Sequence, residues 1–222
     1  MNALHFIPRD RNQSLGEEIA NAVTHGIGAA LSVAGLTLLI VMAVLRGDGW
    51  RLAGSIVFGV TLVFLYLAST LYHAIQTERA KRFFHRLDHV GIAFLIAGTY
   101  TPILLVKMRT TAGLTVFGII WALAVAAAVG KIFFMARFRI LSTLVYVGMG
   151  WIAVFIIVPL AHAMGWGGMM WLIAGGIAYC LGIIPFLWTT IPYHHTIWHL
   201  FVMAGSILHY LGIYFHVLPV IH

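Results

Sequence analysis

Residues 193–218 read YHHTIWHLFVMAGSILHYLGIYFHVL. From 195 to 218 the run is long and apolar enough to cross a hydrocarbon layer, which takes roughly 20 residues of helix. It opens on His195 and His199, four apart. A helix therefore places both imidazoles on one face, one turn apart, where they can hold one metal ion. Two expectations follow: the chain is built of membrane helices, and one end of this span carries part of a metal site.

Composition agrees with the first. Of 222 residues, 62% are hydrophobic and 9% charged, with a mean hydropathy of +0.99, which excludes an ordinary soluble domain. Six further apolar runs lie at 20–45, 52–75, 88–106, 112–133, 140–161 and 169–188. Backbone polar groups find no water inside a bilayer, so such runs must be helices, and the alternation of a membrane barrel is absent. The expected fold is an all-α membrane protein, a seven-transmembrane helix bundle forming a single domain over 1–222, with 1–17 a cytoplasmic N-terminal segment. That segment lacks the pattern of a cleaved signal peptide, so the first span is expected to stay as an anchor.

Lys and Arg set the orientation. Arg9, Arg11, Arg79, Lys81, Arg82, Arg86, Lys131, Arg137 and Arg139 fall on one side, nine in all, and Arg46, Arg51, Lys107 and Arg109 on the other, four. The N-terminus is thus expected in the cytoplasm and the C-terminus outside. The net charge of +7 is scattered singly through short breaks, which reads as topology and not as a nucleic-acid footprint. No nucleic-acid partner is expected, and protein partners are not specified. Cys180 stands alone, so no intrachain disulfide forms. Trp50, Trp166 and Trp188 suit the headgroup layer at span ends, and Pro102, Pro159 and Pro185 are placed to kink or stop their helices.

Polar residues collect at one end of the bundle. Ser69 and His73 close span two, His85, Asp88 and His89 open span three, and His194, His195 and His199 open span seven. Span one adds Glu18, Asn21, Thr24 and His25, a tract that either supports the site or merely caps its helix. Ionisable groups are expensive inside a membrane, so a one-sided cluster from several helices marks a functional site facing the bundle interior. Ser69 and His73 share a helical face, as do His195 and His199, and Asp88 enters from a third helix. Three neutral imidazoles with a fourth position open, beside a carboxylate that can act on water, make a catalytic zinc site. Such an ion lowers the pKa of its water from about 16 to about 7. His85 and His89 also have ligand spacing and compete with His73, although His89 is better placed to support the ligands. Tyr72 is a candidate to orient substrate. His5, His162, His216 and His222 are read as interfacial by default, and His209, about 15 Å beyond His199 along the helix, as a buried hydrogen-bonding residue.

Five blocks in order make the chain recognisable: Glu18-Ile-Ala-Asn21-Ala-Val-Thr24-His25-Gly26, Leu67-Ala-Ser69-Thr-Leu-Tyr72-His73, Phe84-His85-Arg-Leu-Asp88-His89, Ile96-Ala-Gly-Thr-Tyr-Thr-Pro102 and Ile191-Pro-Tyr-His-His195-Thr-Ile-Trp-His199. With these the sequence resembles the hemolysin III family, the bacterial branch of the progestin and adipoQ receptor superfamily, over essentially its whole length. The resemblance implies seven helices around one intramembrane zinc near the cytoplasmic face, held by His73, His195 and His199. It also implies that Asp88 approaches the metal through water and that Ser69 completes the set. Receptor-side relatives look like lipid amide hydrolases acting on ceramide.

The expected function is a zinc-dependent hydrolase of a lipid amide or ester in a bacterial inner membrane. Its substrate would be a membrane lipid or other acyl-chain compound, with metal-bound water activated by Asp88. Two alternatives stand beside it: a non-catalytic sensor of membrane state with structural zinc, and a cytolytic pore former. The pore ranks last, because spans four to six carry scarcely any polar stripe.

Overall fold

The computed structural model describes residues 13–45, 48–134 and 139–219. Arg9, Arg11 and His5, with Arg46, Arg137 and His222, lie outside the described residues. The described chain contains helix and no strand. Its elements are α1 (Leu15–Leu45), α2 (Gly49–Ala74), α3 (Glu78–Lys107), α4 (Thr111–Phe134), α5 (Arg139–Trp151), α6 (Ile157–Leu187) and α7 (His194–Gly212). A 3-10 turn, Ile152–Ile156, links α5 to α6, and a π turn, Ile213–Val217, extends α7.

Helices α1, α2, α3 and α7 turn polar or small residues inward, as suits a lipid solvent. On α1 the buried positions are Glu17, Asn21, His25, Gly28, Ser32, Gly35, Leu39 and Ala43, a spacing of three and four that keeps to one side. Ile19, Val23, Ile27 and Leu31 form the exposed stripe opposite. The helix starts on a reciprocal cap. Ser14 N–H donates to Glu17 Oε2 at 2.8 Å and Glu17 N–H to Ser14 Oγ at 3.3 Å, which satisfies two of the donors a helix start leaves open.

The centre of the bundle is α3, whose Val90, Ala93, Ala97 and Leu104 are buried. It crosses α2 closely. A Cβ added to Gly54 would stand 2.7 Å from the Pro102 backbone Cα, so glycine permits the approach. At the opposite end from the histidines, Asp48 caps α2 by accepting from Trp50 N–H at 2.8 Å and pairs with Arg51. Partial burial pushes the Asp48 carboxyl up, but the Trp50 N–H and the Arg51 guanidinium outweigh it and hold the group below its usual value. Arg51 Nε–H also donates to the Leu218 carbonyl at 3.0 Å, tying α2 to the end of α7.

Six helical segments among the described residues are long and apolar enough to cross a membrane, where seven spans are expected from sequence. The difference lies in the expected spans 140–161 and 169–188, which run together as a segment of 47 residues, Leu141–Leu187. Inside it Gly165 has φ 68° and ψ 165°, a non-helical conformation essentially reserved for glycine.

Other boundaries also differ. Helix α1 begins at Leu15, not at residue 20, because the Ser14 cap lies upstream of the apolar run. Helix α3 begins at Glu78, ten residues before the expected start at 88. Arg79, Lys81, Arg82, His85 and Arg86 are therefore helical, with Glu78 and Arg82 paired at 2.9 Å across one turn. Lys131, near the end of the expected span 112–133, lies within α4 and is 6% exposed. Trp50 and Trp188 are exposed at helix ends, and Trp166 is exposed inside α6 beside the non-helical Gly165.

Candidate metal centre

Three helices assemble the centre, and α1 sets their register. The chain enters α7 through Tyr193, a left-handed residue at φ 55°, whose backbone N–H donates to Glu17 Oε1 at 2.9 Å. The carboxylate that caps α1 thus also holds the turn from which α7 starts. His194 points away from the centre, with Nδ1 3.2 Å from the Pro185 carbonyl. The next turn presents His195 and His199, and the last turn of α2 presents His73.

One ligand atom from each of His73, His195 and His199 lies within 4.8 Å of the other two. Their ring centroids form a near-regular triangle, with sides of 5.2, 5.1 and 4.6 Å. His73 and His199 are each 1% exposed. Among the described residues, His73 Nε2 and His195 Nε2 are buried without a hydrogen-bond partner, a costly state for a polar atom unless a ligand takes its lone pair. Three imidazoles leaving a further coordination position fit a zinc ion.

Helix α1 buttresses this group. Glu18 Oε2 lies 2.7 Å from His73 Nδ1, and its Oε1 lies 2.9 Å from Lys81 Nζ. A proton on His73 Nδ1 donates to that carboxylate, which leaves the Nε2 lone pair facing the triangle. Asn21 Nδ2 approaches the same Nδ1 at 3.5 Å, and Asn21 Oδ1 accepts from Thr196 Oγ1 at 2.5 Å. Thr24 Oγ1 stands 3.3 Å from His199 Nδ1. The His25 ring stacks on His199 at 3.4 Å, only 9° from parallel. Of the two readings of this tract, helix capping falls to Ser14 and Glu17, while Glu18, Asn21, Thr24 and His25 touch the imidazoles or hold their neighbours.

Asp88, 9% exposed, lies near enough to His73 and Ser69 to interact with both. Ser69 is fully buried, and its hydroxyl makes no hydrogen bond of normal geometry among the described residues. Tyr72 and His89 flank the triangle. Tyr72 stacks on His85 at 4.5 Å, lies under Lys81 Nζ and adjoins the His73 ring. His89 Nε2 is 3.2 Å from His85 Nε2, and its carbonyl accepts from Tyr146 OH at 3.0 Å. The competing His85 and His89 pair is not part of the three-donor group. Deeper in α7, His209 Nε2–H donates to the Leu172 carbonyl at 3.0 Å.

Sequence reasoning missed the cavity beside this centre. A space of about 260 Å³ lies between α3, α5, α6 and α7, with Lys131, Ser142, Thr143 and Tyr146 on its wall. A lysine inside an apolar run, followed by Ser142-Thr143 at the next helix start, was the signal available.

The fold and the centre define a class: a helical integral membrane protein with three histidines at metal-binding distance at one end of its bundle. Residues 13–210 match the family described as Haemolysin-III related, and the chain belongs to that hemolysin III family. It is similar to Hemolysin-3 of Bacillus cereus, 46% identical over 207 residues that cover 93% of this chain and 94% of the relative. The Hemolysin-3 homolog of Bacillus subtilis (strain 168) is 44% identical, covering 93% of this chain and 97% of that one. More distantly, the Monocyte to macrophage differentiation factor of Homo sapiens is 26% identical, over 89% of this chain and 83% of its own. Such distant relatives fit the wider progestin and adipoQ receptor superfamily.

Proposed function

We propose that the protein is a zinc-dependent hydrolase of a lipid amide or ester. One observation carries the reading: unpartnered, buried imidazole nitrogens of His73 and His195 stand beside a buried carboxyl, Asp88, in a membrane interior. His73, His195 and His199 would hold the ion, and bound zinc supplies a Lewis acid that polarises a carbonyl and acidifies water. Asp88 serves as general base toward water and then as general acid toward the leaving amine or alcohol. The Ser69 hydroxyl, buried close to Asp88, would orient that carboxyl. Glu18 keeps His73 in the tautomer with a free Nε2, and the His25 ring fixes the plane of His199. The acyl chain lies in the apolar cavity between helices, where water is excluded.

The same reading gives seven crossings. As one straight helix, Leu141–Leu187 would run to about 70 Å, more than twice a hydrocarbon core of about 30 Å. Divided at Gly165 it makes two crossings, which places the termini on opposite sides. The Lys and Arg balance then puts the N-terminus and the metal centre at the cytoplasmic face.

The test is purified full-length protein, with its metal content measured, assayed on a panel of acyl amides and esters in mixed micelles. Release of fatty acid is expected, falling about 10²- to 10⁴-fold in Asp88→Asn with metal content unchanged. No turnover on any substrate, with Asp88→Asn indistinguishable from the parent, sinks the hydrolase. A second reading, a membrane-state sensor in which zinc is structural, draws on the origin of the ligands in α2 and α7, which one ion would staple together. In that case His195→Ala lowers the melting temperature while Asp88→Asn leaves function intact.

A further inference from the structure

The cavity beside the histidine centre carries a cation and a cluster of hydroxyls at one end. Along α3 its wall runs from His89 to Leu104, about 22 Å of helix axis. Toward Leu104 the lining is mainly aliphatic, with Ile156, Leu160 and Met169, and the wall's Thr99, Tyr100 and His209 are each hydrogen-bonded to a backbone carbonyl. At the His89 end the wall carries Lys131 near the end of α4, Ser142 and Thr143 near the start of α5, and Tyr146 one turn further. Because α4 runs antiparallel to α3, these residues share the membrane depth of His89 and of the adjoining Asp88. Tyr146 OH donates to the His89 carbonyl at 3.0 Å and lies within electrostatic reach of Asp88. The polar end of the cavity and the metal centre are thus neighbours.

Lys131 is out of character for its position. A lysine near the end of a membrane helix ordinarily extends along the apolar surface to place its ammonium in water. Here the residue is 6% exposed, while Ile132 and Phe133 beside it are exposed. Among the described residues that line the cavity, Lys131 carries the one formal charge. Two hydroxyls and a phenol stand on the same stretch of wall. A cation with hydroxyl donors at one end of an apolar slot is suited to an amphiphile with an anionic head, whose charge the ammonium meets and whose remaining lone pairs the hydroxyls fill.

We propose that this cavity binds an acyl amphiphile whose polar end bears a carboxylate or phosphate, with Lys131 as the counter-ion and Ser142 and Thr143 as hydrogen-bonding partners of that head, while Tyr146, committed to the His89 carbonyl, shapes the wall beside it. The proposal rests on the hydrolase reading for its acyl chain and narrows it. Preferred substrates are then lipid amides or esters whose leaving group is acidic, and neutral-headed lipids are poorer ones.

Binding separates this inference from turnover. Full-length protein in neutral detergent would be titrated with a saturated long-chain carboxylate, the matching alkyl phosphate, the matching alcohol and the matching alkyltrimethylammonium. None of these has a carboxylic amide or ester bond to cut. The titrations would be repeated after chelation, because an anion could also sit on a metal. The expected result is at least one anionic ligand bound about ten-fold or more tighter than the alcohol, with or without metal, and the better anion identifies the head. Lys131→Met should erase that preference and Lys131→Arg should keep most of it. Equal affinity for anion and alcohol in the parent protein overturns the proposal without any variant. So does a preference that Lys131→Met leaves unchanged, or one that chelation alone abolishes. Anion preference in a protein that hydrolyses nothing would sink the hydrolase and leave this site standing, and turnover without anion preference would do the reverse.

Discussion

Glu18 is the residue through which the soluble edge of the protein reaches the metal centre. It bonds Lys81 with one oxygen and His73 with the other, so one carboxylate fixes both the tautomer and the direction of a ligand. Loss of such a partner typically weakens metal affinity about 10- to 100-fold. Glu18→Gln should do so here, read by competition with a chromophoric chelator, while the helical circular dichroism stays as in the parent. Unchanged affinity would show that His73 is oriented by packing alone. Some of this centre is legible in the sequence and some is not, for a physical reason. His195 and His199 declare themselves because helical periodicity brings neighbours in sequence together. Glu18 and His73 meet across 55 positions, and only the packing of α1 on α2 reveals which face of the tract is turned inward. Glu17 is less legible still, since it holds both its own helix start and the Tyr193 turn 176 residues away.

Among the elements, α2 and α3 set the frame, because they carry His73, Ser69 and Asp88 and pack at the heart of the core. Their approach depends on Gly54, where an added Cβ would meet Pro102 backbone that cannot swing aside. Gly54→Ala should therefore destabilise the protein by about 1–3 kcal/mol, seen as a lower melting temperature in detergent. The same substitution at Gly118, which has open space around it, should leave melting unchanged. Hydropathy alone locates these helices but not their ends. The first ten residues of α3 look like a loop because they are charged, yet they continue the helix past the apolar run and place Lys81 against Glu18. Lys131, counted from sequence among the cations that set orientation, is found buried inside α4. Charge reports distance from the lipid only when the side chain is free to reach water, and burial against another helix removes that freedom.

At the scale of the molecule, an apolar exterior surrounds a polar interior concentrated at one membrane depth. The all-helical membrane character is readable from composition, because backbone hydrogen bonding in lipid leaves few alternatives. The number of crossings is not, since a single glycine at 165 decides whether 47 residues make one long segment or two. A reporter fused after residue 222 that is active only outside the cytoplasm tests the count. Seven crossings with a cytoplasmic N-terminus predict activity, and six predict none.

The claim on which the rest depends is that His73, His195 and His199 hold one metal ion. Zinc per chain in purified full-length protein, determined by elemental mass spectrometry alongside the His73→Ala, His195→Ala and His199→Ala variants, tests it most directly. About one zinc per chain in the parent protein is expected, falling to a small fraction in each variant that remains folded. A folded parent protein that binds no zinc even after incubation with the ion, or variants that retain the parent stoichiometry, would contradict it.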